Sequence, residues 1–385
     1  MCMSNEVPPG SSGWETLSDD LEGSTLATKI SFIVRSANKP WHDIGLLPKS
    51  PVDVGVLNAL QKELDEAWKD DPQYFTACFR CLHALTKERE LFPESFVVNE
   101  GVVRESGYPI DGGEASDIWK GTVDGRGVCL KVFRTFSMTV TETKSFFKEL
   151  CHEAVIWKHL HHKNILPFIG INTTSFVDRF CLISPWMQNG NVIKFLESNK
   201  DHDRLKCIRE IASAVAFLHG FNPHIAHCNI HGTNVLVDDN HTCCLAGFGS
   251  VIIHDTQTPP GNVFCLNSAR WLAPEFQLID TPCEQYSFPA RDIYALGCTI
   301  IEIFTLQLPF PHISNNSSVS KTVIKSTYHP RPPADVFPCD KLWALVEDCM
   351  ALQCDRRPSA TEVMLAEEKV VGPRFRFLKM AYGRE

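Results

Sequence analysis

A change in hydrophobic period along the chain constrains its fold more than any other feature. Between about residues 97 and 186, short runs rich in β-branched and aromatic residues predict strands, with a hairpin turn at Asp124-Gly125. One stretch of helical period, residues 142–160, interrupts these strands. Beyond Gly190 the pattern is mostly helical, with short apolar pieces between helices. A strand-rich part with one helix followed by a larger helical part predicts a two-lobed α+β architecture.

A different pattern precedes the strands. Residues 54–68 place their apolar side chains on one helical face, and a second helix is predicted after Pro72. The first residues are rich in Gly, Ser, Pro and acidic side chains, which is typical of a disordered segment. The predicted division is a disordered tail (1–27), a helical module (28–96), a large domain (97–368, divided at 186/187) and a C-terminal tail (369–385).

Composition and charge exclude several classes of protein. The 46 acidic and 37 basic side chains leave a formal charge of −9, which argues against a surface built to bind nucleic acid. The chain begins without the basic and apolar segments of a secretory signal, and its apolar stretch at 294–310 is short for a membrane span and contains Glu302. We therefore expect an intracellular protein, cytoplasmic or nuclear, with no membrane partner. The 16 scattered cysteines are expected to be reduced, and we predict no metal site.

Several motifs occur in an order that identifies a family. They are DGGEASDIWKG at 111–121, VCLK at 128–131, HCNIHGTN at 227–234, GFG at 247–249 and APE at 273–275. Together they resemble the landmarks of a protein kinase over residues 97–368, and the nearest group is that of the tyrosine-kinase-like Ser/Thr kinases abundant in mushroom-forming fungi. The resemblance implies a bilobal kinase fold, with a small five-stranded antiparallel lobe that carries one helix and a larger helical lobe.

The same resemblance assigns an ion pair. Lys131 lies in an apolar strand at the position of the phosphate-binding Lys, and Glu153 lies on the following helix at the position of its partner. An ammonium group in an apolar strand needs such a partner. The residues leave open whether the pair serves a nucleotide or only clasps the helix to the sheet.

The residues that would carry the chemistry are replaced. Asn229 stands where the family has the catalytic Asp, and an amide cannot accept a proton. Gly247 stands where the family has the metal-binding Asp and offers no oxygen ligand, which argues against Mg²⁺. Asn234, at the second metal position, is retained and either holds a metal or braces the loop. His231 replaces the Lys of the catalytic loop and is a poor substitute cation, since its ordinary pKa is about 6.5.

The phosphate loop is altered as well. The resemblance places Asp111, Gly113 and Ser116 at the three glycine positions, so only the middle glycine survives. Asp111, Glu114 and Asp117 put three negative charges along a loop that would face a polyanion, and we expect repulsion. Binding of ATP is therefore expected to be weak at most.

The positions of the adenine pocket are better preserved. Ile118, Cys129 and Leu236 fall where the family encloses the base in apolar side chains. Ser184 is a small gatekeeper, and Met187 offers the backbone groups of the hinge. The alternative is ordinary core packing without a ligand.

The residues that hold the fold remain. Glu275 of the APE motif is expected to pair with Arg357, and Asp292 is expected to brace the backbone of the catalytic loop. Loss of the chemical residues with retention of these supports predicts a pseudokinase, a scaffold or allosteric regulator whose partners are proteins, such as a kinase or its substrate. The alternatives are an atypical Ser/Thr kinase with residual phosphotransfer, and an ATP-binding sensor that turns nothing over.

Overall fold

The computed structural model describes eleven ranges of the chain. They are residues 30–31, 34–35, 53–67, 71–112, 116–134, 138–176, 179–253, 269–277, 287–325, 329–337 and 339–370. The chain divides into two compact units, the first formed by residues 1–159 and 168–185 and the second by residues 160–167 and 186–385. The predicted tails lie outside the described residues, apart from Lys369 and Val370 at the end of the last helix.

In the first unit, α1 (Asp53–Ala67) and α2 (Pro72–Arg89) form a helical hairpin, in the region where the sequence predicted a helical module. Residues 30–31 and 34–35, which precede the hairpin, are also helical. Helix α2 begins at its N-cap Asp71, whose side chain accepts a hydrogen bond from Tyr74 N at 3.0 Å. It ends at Glu90, whose φ of 58° is left-handed. The apolar side chains buried in the hairpin include Leu57, Leu60, Leu64, Cys78, Phe79, Cys81, Leu82 and Leu85.

An antiparallel sheet follows the hairpin. Its strands are β1 (Val102–Arg104), β2 (Asp111–Gly112), β3 (Ser116–Val123), β4 (Arg126–Phe133), β5 (Gly170–Asn172) and β6 (Cys181–Pro185). The order is β1-β3-β4-β6-β5, and β2 pairs with β3 beyond the end of β1. The five predicted strands therefore correspond to β1, β3, β4, β5 and β6, and β2 is a sixth strand that the sequence analysis did not predict. The predicted turn is confirmed, since Asp124 and Gly125 have positive φ values of 50° and 78°.

Two predicted strands are shorter in the structure than their sequence patterns indicated. Residues 95–105 form a strand only at β1, after a 3₁₀ turn at Glu94–Phe96. Residues 164–170 contribute only an isolated bridge from Ile165 to Leu245, and β5 begins at Gly170. Pro167 has no N–H group to donate to a ladder, which limits pairing in this stretch.

The sheet has two different faces because side chains alternate along each strand. One face forms an apolar core of Trp119, Val128, Leu130, Val132, Phe176, Cys181 and Ile183. The register of β3, β4 and β6 puts Ile118, Cys129, Lys131 and Ser184 on the other face. Helix α3 (Val140–Lys158), which begins with a capping box between Thr139 and Glu142, supplies the partner of Lys131 on that face.

The described part of the second unit is mostly helical. Its helices are α4 (Val192–Ser198), α5 (Arg204–Gly220), α6 (Phe288–Thr305), α7 (Asn316–Ile324), α8 (Asp340–Cys349) and α9 (Ala360–Val370). Two small sheets pair β7 (Ile225–Ala226) with β10 (Ile252–Ile253) and β8 (Val235–Val237) with β9 (Cys243–Leu245). Helix α6 is buried along nearly its whole length and forms the centre of this unit. No helix in the described ranges combines the length and apolarity needed to cross a membrane.

Candidate functional site

The predicted ion pair is present in the first unit. Lys131 Nζ lies 2.8 Å from Glu153 Oε1, and it also lies 4.9 Å from the centre of the Phe133 ring. The Glu153 side chain is only 6% exposed, whereas that of Lys131 is 28% exposed. The pair therefore links strand β4 to helix α3 and leaves part of the lysine side chain accessible.

The three residues of the first unit that the resemblance assigned to the adenine pocket lie beside Lys131. Ile118 is opposite Lys131 in the β3–β4 pairing, and Cys129 is opposite Ser184 in the β4–β6 pairing. Burial raises the pKa of the Cys129 thiol to about 11, so the side chain is neutral at physiological pH. These side chains form a largely apolar surface around one cation.

Two further residues of the predicted pocket belong to the second unit. Met187 is buried, and its carbonyl accepts a hydrogen bond from Gly190 N at 3.0 Å. Leu236 lies in β8 and is half-buried. Gly113 of the phosphate loop lies outside the described residues.

One of the three carboxylates predicted along the phosphate loop is paired with arginine. Arg134 donates to Asp117 Oδ1 at 2.6 Å and 2.9 Å, and Arg179 lies 3.9 Å from Asp117 Oδ2. Asp111 is exposed, and Glu114 lies outside the described residues. Arginine therefore compensates one of the three carboxylates from which repulsion was predicted, and the repulsion itself stays a prediction.

The backbone of the catalytic loop is held by Asp292, as predicted. Its two carboxylate oxygens accept hydrogen bonds from His227 N and Cys228 N, each at 2.7 Å. The His219 ring nitrogen Nε2 lies 3.0 Å from Asp292 Oδ2. Burial opposes ionisation of Asp292, but the hydrogen bonds from His219 and the backbone keep its pKa below the ordinary value. A fully buried carboxylate thus fixes the start of the loop.

Asn229 is held in the loop through its backbone. Its Oδ1 atom is buried, and the described residues provide no donor within hydrogen-bond distance of it. Its backbone oxygen accepts a hydrogen bond from Asn234 Nδ2 at 2.9 Å. The amide can orient a hydroxyl group but cannot take up its proton.

The side-chain amide of Asn234 lies against Gly247, the position at which the family has its metal-binding carboxylate. Gly247 has a φ of 85°, and a Cβ atom built there would lie 2.9 Å from each of three atoms of the Asn234 amide. Asn234 Nδ2 also lies 3.0 Å from His231 Nε2, so the amide is engaged within the loop, as the bracing alternative requires.

Gly247 and the Asn234 amide do not fit Mg²⁺, which prefers carboxylate and water oxygens in octahedral geometry. Elsewhere in the described ranges, no group of three or more His, Cys, Asp or Glu side chains is arranged to hold a metal ion.

His231 provides no positive charge at neutral pH. Burial, together with the neighbouring His227, lowers the pKa of His231 to about 4. Its Nδ1 atom lies 2.8 Å from Thr233 Oγ1, and its ring centre lies 5.2 Å from that of Trp271. The ring is therefore a neutral part of the loop.

Sequence reasoning did not assign a role to Glu302. This carboxylate, on helix α6, accepts hydrogen bonds from Gly232 N at 2.8 Å and from Trp271 Nε1 at 3.2 Å. Burial raises its pKa to about 7. The signal was available, because a charged residue inside a long apolar helix requires a partner.

The second predicted support is also present. Arg357 donates to both oxygens of Glu275, at 2.7 Å and 2.8 Å, and to the carbonyl groups of Ala290 and Ala351. Its side chain is fully buried. This bidentate pair ties the APE motif to the segment before α9.

Comparisons with known proteins agree with this arrangement. The sequence profile of the family described as protein tyrosine and serine/threonine kinase matches residues 106–366. Serine/threonine-protein kinase STY17 of Arabidopsis thaliana is 24% identical over 258 residues, which cover 66% of this chain and 42% of that protein. Activin receptor type-1 of Homo sapiens is 30% identical over 207 residues, covering 50% of this chain and 39% of the receptor.

A third relative is dual specificity protein kinase shkC of Dictyostelium discoideum, 25% identical over 264 residues, which cover 67% of this chain and 50% of that kinase. The matched regions thus span 39% to 50% of the length of these three relatives. The predicted kinase fold is confirmed by the family match. The chain belongs to the protein tyrosine and serine/threonine kinase family, in the tyrosine-kinase-like group of the protein kinase superfamily.

Proposed function

We propose that this protein is a pseudokinase that acts on protein partners, as a scaffold or an allosteric regulator of a kinase or its substrate. One observation carries the proposal: Asn229 and Gly247 occupy the two positions that need carboxylates, while the supports around them are intact. Asp292 still holds the loop backbone, and Arg357 still holds Glu275. The fold is therefore maintained at the place where the chemistry is lost.

The two losses act on separate requirements of phosphoryl transfer. General-base assistance is worth on the order of 10² to 10⁴ in rate, and Asn229 cannot provide it. A metal ion contributes several kcal/mol of charge stabilisation, and Gly247 supplies no ligand for it. Because the requirements are independent, the deficits are expected to multiply.

The first prediction is the absence of phosphotransfer. With labelled ATP, Mg²⁺ and a generic protein substrate, incorporation by the wild-type protein is expected to equal that of a Lys131→Met control. Incorporation that disappears in the control would refute the proposal and establish an atypical kinase with residual activity.

The second prediction concerns restoration. Asn229→Asp alone is expected not to restore phosphotransfer, because the metal position still lacks its carboxylate. Gly247→Asp alone is expected to fail as well, since its Cβ would meet the Asn234 amide and position 229 would still lack a base. Activity in the first variant, measured in the same assay, would show that a different residue holds the metal.

A second candidate function is that of a metal-independent nucleotide sensor. The observation that favours it is the Lys131–Glu153 pair beside the apolar surface of Ile118, Cys129 and Ser184. There Lys131 would neutralise phosphate charge and the apolar side chains would contact the base. These residues fit a nucleotide better than the loop residues fit a metal.

Thermal unfolding with ATP separates the candidates, since a ligand at 100 times its Kd stabilises the folded state by about 2.7 kcal/mol. An unchanged Tm in the presence of ATP supports the scaffold function and argues against the sensor. A shift that persists without Mg²⁺ or Mn²⁺ and is lost in Lys131→Met supports the sensor. A shift that requires the metal contradicts both.

A further inference from the structure

Two adjacent residues of helix α3 contact different parts of the first unit. Glu153 pairs with Lys131 on the sheet, whereas His152 contacts α2 of the hairpin, with its Nδ1 atom 2.7 Å from His83 Nε2. Neighbouring residues on a helix point about 100° apart. One rotational setting of α3 is therefore required for both contacts, and a rotation that breaks one also displaces the other.

The contact of α3 with α2 and with the residues just after α2 continues on both sides of the histidine pair. Toward the start of α3, the rings of Phe92 and Phe147 lie 5.6 Å apart. Beyond its end, the His159 ring meets Phe79 edge to face at 5.4 Å. The hairpin thus follows α3 over residues 147–159, about three turns.

The interface between the two helices is largely dry. Phe79 is fully buried, and Phe147 and His152 are less than 10% exposed. Burial and the neighbouring His152 lower the pKa of His83, so the His83 ring takes part in this hydrogen bond as a neutral group. Separation of the helices would expose these side chains to water and break that bond.

The hairpin is also fixed to the sheet that carries Lys131. Immediately after the 3₁₀ turn that follows α2, Val98 N donates to Ile171 O at 2.8 Å, and Asn172 Nδ2 donates to Val98 O at 3.0 Å. Residue 98 therefore extends the sheet beyond β5, its edge strand. Helix α3 is held between two elements that are themselves connected.

We infer that the α1–α2 hairpin is an intrachain effector of α3. When the hairpin is docked, α3 has the orientation in which Glu153 reaches Lys131. When it is released, α3 turns away from the sheet and the ion pair breaks. A protein that bound the hairpin would thereby change the state of Lys131 without contacting it. This inference goes beyond the pseudokinase proposal and does not depend on whether the chain binds ATP or transfers phosphate.

Hydrogen exchange on the full chain tests the inference. In His83→Ala, the amides of residues 126–133 and 148–158 are expected to exchange about tenfold faster, because local opening of α3 and β4 becomes easier. Phe92→Ala removes a half-buried ring at another turn of the interface and is expected to act in the same direction, which preserves the test if His83→Ala does not fold. An increase confined to residues 53–92 would overturn the inference.

Two controls separate this effect from a general loss of stability. Lys148→Ala removes an exposed pair with Glu88 at the same interface and is expected to leave exchange in β4 unchanged. Val346→Ala opens the core of the second unit and is expected to leave residues 126–133 protected in the native state. If it accelerates them as much as His83→Ala does, the inference fails.

A double-variant comparison gives an independent reading. Lys131→Met is expected to lower Tm in the wild-type background and to have a smaller effect in the His83→Ala background, where α3 opens more readily and the pair contributes less. Equal decreases in both backgrounds would show that the hairpin and the ion pair are independent, as is usual for sites without shared partners, and would refute the coupling.

Discussion

Asp292→Ala is expected to lower the free energy of unfolding by about 3 to 5 kcal/mol, the range found when one partner of a buried charged network is removed. The Asp292 carboxylate is fully buried and accepts hydrogen bonds from His227 N and Cys228 N, and it also contacts His219. Alanine would leave these groups without an acceptor, and each buried unsatisfied donor carries a desolvation penalty of about 1 to 3 kcal/mol. Chemical denaturation followed by circular dichroism measures the change.

Two variants calibrate this result. Asp292→Asn keeps one acceptor oxygen and is expected to lose less stability than the alanine variant. Asp239→Ala removes an exposed carboxylate in the same unit and is expected to change stability by less than about 0.5 kcal/mol. A loss below about 1 kcal/mol in Asp292→Ala would show that water replaces the carboxylate and that the loop does not depend on it.

Some of these features could be predicted from sequence because motif and physical need coincide. A lysine in an apolar strand requires a carboxylate partner, and the family resemblance pointed to Glu153 for Lys131 and to Glu275 for Arg357. Asp292 was found in the same way. In each case the structure forms the expected contact.

Other features depend on distances that no sequence pattern contains. The pairing of Arg134 with Asp117 depends on the register of β3 against β4, which brings together residues on separate strands. The His83–His152 contact joins positions 69 residues apart in the chain. The Asn234 amide lies against Gly247, which has a left-handed backbone conformation. From the sequence, the glycine at this position predicted only the loss of a metal ligand and not this contact. These contacts join residues that are distant in the chain, so the motifs could not predict them.

Glu302→Gln is expected to stabilise the protein by up to about 3 kcal/mol at pH 8 and by less than about 1 kcal/mol at pH 5. Burial raises the pKa of Glu302 from 4.5 to about 7 in the folded state. Between these values the folded protein keeps a proton that the unfolded chain releases, so the free energy of unfolding falls as the pH rises. The difference of about 2.5 pKa units, at about 1.4 kcal/mol each, sets the upper limit.

Glutamine removes this penalty without removing the contacts. Its amide oxygen can still accept hydrogen bonds from Gly232 N and Trp271 Nε1, and it never ionises. The measurement is urea denaturation of wild type and variant at several pH values, with the difference in unfolding free energy plotted against pH. Only the difference is interpreted, because the other titrating groups are common to both proteins.

Glu362→Gln provides a control of opposite sign. Glu362 Oε2 accepts hydrogen bonds from Ser359 N and Oγ at 2.8 Å, and the backbone hydrogen bond lowers the pKa of this exposed carboxyl. The ionised Glu362 carboxylate contributes to the free energy of unfolding above the pKa that this group has in the unfolded chain, and the contribution is lost as the pH falls. Glu362→Gln is therefore expected to destabilise the protein more at pH 8 than in acid. If Glu302→Gln also destabilised the protein more at pH 8 than in acid, the prediction would be wrong. The ionised Glu302 carboxylate would then stabilise the contact between α6 and the catalytic loop.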